Sequence, residues 1–317
     1  MYKLITRILL LIFPFFLLNI VYLNSREWKT KYGIEKFNDV PSEIDIANLG
    51  SSHAVEGLEY NIPELEKFTC FNFGLHQQTL EYDWYIFKKY SKKFKKNSVL
   101  LINLSTFETN GLVNENNSSL SRYYLFLERK TFPHLNFKDY LMIKYFPLFT
   151  LNNPIEDLGK VFFPKKNSPI TQKFYSVENS EESLKMCKYL LDGWKKLFPP
   201  SDEGLSNNLK YLSQILEECR RNDIIPILIT FPLTKDVNDY LEENNIYMDT
   251  SEFIRYVSQS CGSIIYKDYS KLFSDRNDLF FDNNHLNEEG SIVFTKYIWK
   301  DFLKDCMVSN NFISGGF

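Results

Sequence analysis

Two short segments far apart in the chain carry the residue types of a serine acyl-transfer site. Asn48-Leu49-Gly50-Ser51-Ser52-His53 closes an apolar stretch and presents a serine on a tight turn. Asp282-Asn283-Asn284-His285-Leu286-Asn287 supplies an acid and an imidazole three residues apart. A serine hydroxyl is a weak nucleophile until a base takes its proton, and the base works best when a carboxylate fixes its tautomer. Ser52 is therefore the candidate nucleophile, His285 the base and Asp282 the orienting acid. Asp-x-x-His alone is a weak signal, because a helix N-cap role for Asp282 or Asn287 would account for it. The pairing with a Gly-Ser-Ser turn sharpens it.

A fold that joins these segments must bring the ends of two distant strands together. Apolar runs at residues 44–49, 68–73, 99–104, 224–231 and 263–266 each end in turn residues and read as buried parallel strands. Helical spacing over 79–94, 205–221, 249–260 and 288–304 alternates with them. This predicts an open α/β sheet with helices on both faces, whose site lies at the carboxyl ends of the strands. There Ser52, Gly74 and Ser105 would emerge. Residues 108–200 break the rhythm: they hold no clear strand and many aromatics, and predict a mostly helical insertion after the third strand. The expected domain runs over 43–307, preceded by a linker at 25–42 and followed by a tail at 308–317.

The amino terminus carries Lys3 and Arg7 ahead of the run ILLLIFPFFLLNIVYL at residues 8–23. From Leu4 this is just long enough to cross a bilayer, although Pro14 and Asn19 interrupt it. The basic flank predicts a cytoplasmic start and a single-pass anchor over 1–24, with the remainder outside. No small-x-small cleavage site follows. The net charge of −3, with 24% charged residues, gives no electrostatic case for nucleic acid. The lysines at 88–89, 92–93 and 95–96 read as the solvated end of a helix. Cys70, Cys187, Cys219, Cys261 and Cys306 lack Cys-x-x-Cys spacing, so no metal site and no cofactor is expected.

The combination of Gly50-Ser51-Ser52 after the first strand, Asp282-x-x-His285 before the last helix, and Leu286-Asn287 followed by Gly290 resembles the SGNH/GDSL hydrolase superfamily. That resemblance covers about residues 43–305 and implies a flavodoxin-like three-layer sandwich. It also implies an oxyanion hole built from the Ser52 backbone N–H, Gly74 and a third-block asparagine. The third block should read Gly-x-Asn-Asp, but the strand here ends Asn103-Leu104-Ser105-Thr106-Phe107-Glu108, so Ser105 or Thr106 is the expected substitute, through hydroxyl or backbone. Gly-Ser-Ser behind an uncleaved anchor is similar to the membrane-tethered branch of that superfamily, which includes the D-alanine-transfer protein of teichoic acids and acyltransferase proteins of exported polysaccharides. The function this implies is an extracytoplasmic serine esterase or O-acyltransferase. It would act on acyl groups of a cell-surface glycan or polymer, with a membrane-bound O-acyltransferase as partner.

Other residues carry less. His53, next to Ser52, reads as structural or pocket-lining. His76 could border the site or simply start a helix, and His134 belongs to no motif. Ser51 is the alternative nucleophile. The departure in the third block motivates a second reading, a non-catalytic protein that binds a glycan or partner in the same crevice. A soluble secreted lipase is a third.

Overall fold

The apolar runs become five strands, all parallel to their neighbours: β1 Ile44–Leu49, β2 Cys70–Asn72, β3 Phe94–Asn103, β4 Ile225–Thr230 and β5 Ile265–Asp268. The computed structural model describes residues 2–25, 28, 33–109, 122–131, 137–149, 154–163, 185, 188–189, 192, 201–244 and 246–308. His134, Cys187 and the tail from residue 309 lie outside them, as does most of 164–200. The helices, in chain order, are α1 Tyr2–Asn24, α2 Ser52–Glu56, α3 Leu80–Tyr90, α4 Thr106–Thr109, α5 Tyr123–Phe126, α6 Phe137–Tyr145, α7 Pro154–Phe162, α8 Asp202–Arg221, α9 Lys235–Glu243, α10 Ile246–Cys261, α11 Glu288–Ile298 and α12 Lys304–Val308. The strand order is β2-β1-β3-β4-β5. That is the flavodoxin-like doubly wound order, with its switch point between β1 and β3.

The chain divides into two compact units. The unit formed by residues 41–114 and 172–317 contains the sheet. Both faces of that sheet are covered, which is why its strands read as continuous apolar runs rather than alternating ones. On one face Ile46, Val99, Leu101, Ile227 and Ile229 pack with Phe294 and Ile298 of α11. The residues of opposite facing, Ala47, Leu100, Ile102 and Leu228, are equally buried, and α8 packs against α3, α10 and β4. Helix α8 starts where Ser201 accepts the Gly204 N–H (2.9 Å), with Asp202 and Glu203 in its first turn and Arg220 and Arg221 in its last.

Several boundaries shift by a few residues from the sequence expectation, and one changes the element type. The helix predicted over 79–94 ends at Tyr90, because Phe94 already pairs with Ile44 at the start of β3. Lys95 and Lys96 therefore sit on a strand rather than a helix end. Their ammonium groups meet Asp45 (2.9 Å) and Asp223 (3.0 Å).

The other unit comprises residues 1–40 and 115–171. The parts of the insertion described there, α5 to α7, are helical. Tyr22, Trp28 and Leu148 form its small core. Asn19, the polar interruption in the apolar run, is buried: its amide donates to the Tyr145 carbonyl (2.9 Å) and accepts the Leu148 N–H (3.3 Å). Ile12, Phe13, Phe15, Phe16 and Leu17 of α1 are exposed. Among the described residues no helix is long and apolar enough to cross a membrane, so the expected span is not found there.

Candidate active site

The serine turn is set by backbone geometry at the end of β1. Gly50 has φ +133°, and a Cβ there would lie 2.3 Å from the Asn103 Cβ, so only glycine fits. Ser51 follows in extended conformation and Ser52 opens the short helix α2. A buried amide network fastens that helix. Asn48 Nδ2 donates to the Ala54 carbonyl (3.2 Å) and to Asn72 Oδ1 (2.9 Å), while Asn72 Nδ2 donates to the Ala54 carbonyl (2.9 Å). The Tyr60 hydroxyl donates to Asn48 Oδ1 (2.9 Å) and completes the set. Satisfied networks of this kind specify one arrangement of the groups they join.

The acid–imidazole loop is fixed just as locally. An antiparallel bridge joins Phe280 to Leu286, and the Phe281 N–H donates to the His285 carbonyl (3.0 Å). Inside this loop Asp282 Oδ1 accepts the backbone N–H groups of Asn284 (3.0 Å) and His285 (2.8 Å), an Asx-type turn. Asn287 then caps α11 by accepting the Gly290 N–H (2.9 Å) and donates to the Asp278 carbonyl (2.7 Å). A Cβ on Gly290 would come 2.1 Å from the Leu279 carbonyl oxygen, which accounts for glycine there.

These elements bring the three predicted residues together. Ser52 Oγ lies 2.8 Å from His285 Nε2, and His285 Nδ1 lies 2.8 Å from Asp282 Oδ2. With the Nδ1 proton on the Asp282 side, Nε2 is free to accept the serine proton. Burial works to raise the Asp282 carboxyl, but the hydrogen bond and charge of His285, with the two backbone N–H groups, outweigh it and hold it below the ordinary carboxylate value. Ser51 points elsewhere, accepting from Asn103 Nδ2 (3.3 Å).

The expected oxyanion donors are placed less favourably. The Gly74 N–H donates to Asn72 Oδ1 (2.9 Å). The Ser105 N–H donates to Glu108 Oε2 (2.8 Å), and its hydroxyl donates to the same oxygen. Both groups of Ser105 are thus engaged in a closed turn with Glu108. Sequence reasoning passed over Asn103, the last residue of β3. It is buried against Gly50 and Ser51, and its Oδ1 lacks a hydrogen-bond partner among the described residues. Exchanging the two ends of this amide would let the Ser51 hydroxyl donate to Oδ1 and free Nδ2 as a donor. Its position at a strand end next to the serine turn was the available signal.

Around this centre, His53 is buried with its ring stacked on His285 at a centroid distance of 5.0 Å. Burial, then the charge of His285, lowers its pKa to about 3, so the ring is neutral at physiological pH. His76 is exposed and approaches Glu56 Oε1 (3.3 Å) at the end of α2. Asp83 is buried and accepts from Gln78 Nε2 (2.6 Å); burial, opposed by that hydrogen bond and aided by the charge of Glu108, pushes its pKa up to about 8. Cys70, Cys219, Cys261 and Cys306 are free thiols, and no metal-holding group occurs among the described residues.

Fold and site together define a doubly wound α/β protein with a Ser-His-Asp constellation at the end of its first strand. No protein-family model and no curated protein matches the chain. Among solved structures it is similar to a Bacteroides fragilis NCTC 9343 protein provisionally described as an acylhydrolase. The TM-score is 0.42 at 11% identity, covering 86% of this chain and 94% of that one. A likeness at that level carries no argument about activity.

Proposed function

We propose that this protein is a serine-dependent acyl-transfer enzyme, an esterase or O-acyltransferase of the SGNH type. The observation that carries the reading is the unbroken line from Ser52 Oγ through His285 to Asp282, with both contacts at 2.8 Å. His285 Nε2 takes the Ser52 proton as Oγ attacks the ester carbonyl carbon. The tetrahedral intermediate collapses by breaking the carbon–oxygen bond to the leaving group, which receives that proton from His285. Water or an acceptor hydroxyl then gives its proton to His285 as it attacks the acyl-Ser52 carbonyl, the carbon–Oγ bond breaks, and His285 returns the proton to Ser52 Oγ. The Ser52 N–H and, after the amide exchange, Asn103 Nδ2 are the donors we assign to the oxyanion. Labelling by a serine-directed phosphonate tests this: it is expected at Ser52 and lost in Ser52→Ala and His285→Ala. Folded wild-type protein that does not label would overturn the reading.

The acylated substrate we propose is a cell-surface glycan or polymer, handled outside the cytoplasm alongside a membrane-bound O-acyltransferase. The exposed apolar side chains of α1 support membrane attachment. Fractionation of cells expressing the full chain and a chain lacking residues 1–24 tests the location. Release of the full chain by carbonate wash would remove it.

A non-catalytic binding role is the second reading, favoured by the engaged N–H groups of Gly74 and Ser105. It predicts glycan binding that Ser52→Ala leaves unchanged, with no labelling of the wild type.

A further inference from the structure

Beside the triad lies a cavity of about 60 Å³. Its walls are apolar, formed chiefly by Leu104, Phe231, Leu233, Val237 and Leu241. Its polar lining includes His53 and Asn284, the chain neighbours of Ser52 and His285, together with Asn103. Two of these side chains have hydrogen-bonding capacity to spare. Among the described residues neither ring nitrogen of His53 has a partner of normal geometry, the Asn284 backbone reaching the ring only weakly, and the exchanged Asn103 amide leaves Nδ2 open. Buried polar groups ordinarily have partners. Unpaired ones at one end of an apolar cavity suit a ligand that is polar at that end and hydrocarbon beyond it.

We propose that this cavity receives the hydrocarbon tail of the acyl group carried by Ser52, so that short unbranched acyl esters are the substrate class. This rests on the acyl-transfer reading. A water-sized group needs about 10–15 Å³ on this measure, so the cavity takes roughly four to six such groups. His53, neutral and stacked on the catalytic imidazole, lies where the ester end and the tail meet. On this reading the wall that includes Thr250 and Tyr266 sets the longest chain the cavity takes. Thr250 and Tyr266 line both this cavity and a separate open groove that includes Asp268 and Tyr297. The Tyr266 hydroxyl is held by Thr230 Oγ1 at 2.9 Å, and Thr250 Oγ1 meets Thr109 Oγ1 at 3.3 Å. Both residues thus border the cavity on one side and the groove on the other.

The test uses p-nitrophenyl alkylphosphonates with methyl, butyl, hexyl and dodecyl chains on the full-length protein, following Ser52 labelling by mass spectrometry. Labelling is expected to quicken about fourfold per methylene from methyl to butyl, then to fall for dodecyl. Val237→Trp fills the cavity and should bring the butyl-to-methyl labelling ratio close to one, with circular dichroism showing that the variant is folded. Tyr266→Ala opens the far wall and should move the optimum to longer chains. A chain-length profile unchanged in both variants, each folded by circular dichroism, overturns the cavity assignment and leaves the acyl-transfer reading standing. Absence of labelling by every probe removes that reading and this inference with it.

Discussion

The two sides of the serine turn are built to different degrees of readiness. Toward the carboxy-terminal loop, Ser52, His285 and Asp282 already have the contacts that proton transfer needs, and Asp282 spends one oxygen on backbone N–H groups that fix the loop. Toward the ends of β2 and β3, the Gly74 and Ser105 N–H groups are donated to Asn72 and Glu108. Activating a nucleophile needs one base in one tautomer. Stabilising an oxyanion needs several donors aimed at a point that is empty in the resting protein. On the proposed reading, the contrast means that the nucleophile is prepared before substrate arrives, whereas the oxyanion side depends on Asn103 and the Ser52 N–H.

The largest effects should fall on the prepared side. Ser52→Ala and His285→Ala are expected to lower ester turnover by about 10⁶, and a residual rate within tenfold of wild type in either would break the contrast at its stronger end. Asp282→Asn should lose about 10⁴ in kcat, through the wrong imidazole tautomer, with little change in KM. On the other side, Asn103→Ala should cost about 10²–10³, and Ser105→Ala should leave kcat near wild type. Reversal of that pair would return Ser105 to the oxyanion hole.

The remaining prediction concerns stability rather than turnover. Asp83 has a folded pKa of about 8 against an ordinary 3.8. Between those values the folded state binds more protons than the unfolded one, so this group makes stability fall as pH rises from about 4 to 8. Asp83→Asn should flatten that part of a melting-temperature profile. An unchanged slope would show that Asp83 is ionised beside the serine turn.

Much of this was legible in the chain because burial on both sheet faces writes continuous apolar runs. The residues of β1 were readable to the residue, since Gly50 stops it. The start of β3 was not: Phe94 to Ser98 is polar and reads as helix end, and only pairing to Ile44 makes it strand. In the site, Ser52, Asp282 and His285 were legible because their chemistry lies in side chains at short spacing. The fate of the Gly74 and Ser105 N–H groups was not, because it depends on which acceptor the fold brings within reach. Asn103 escaped because its use comes from lying across from Gly50 rather than from any motif.

Asn287 ties two events into one. Its side chain holds the first turn of α11 and, through the Asp278 carbonyl, the loop that carries Asp282 and His285. Fraying of that turn and loss of the acid–imidazole pair are therefore expected as a single opening, not two. The Gly290 amide should exchange with solvent deuterium at the same free energy at which mild denaturant silences the enzyme, well before the sheet itself unfolds.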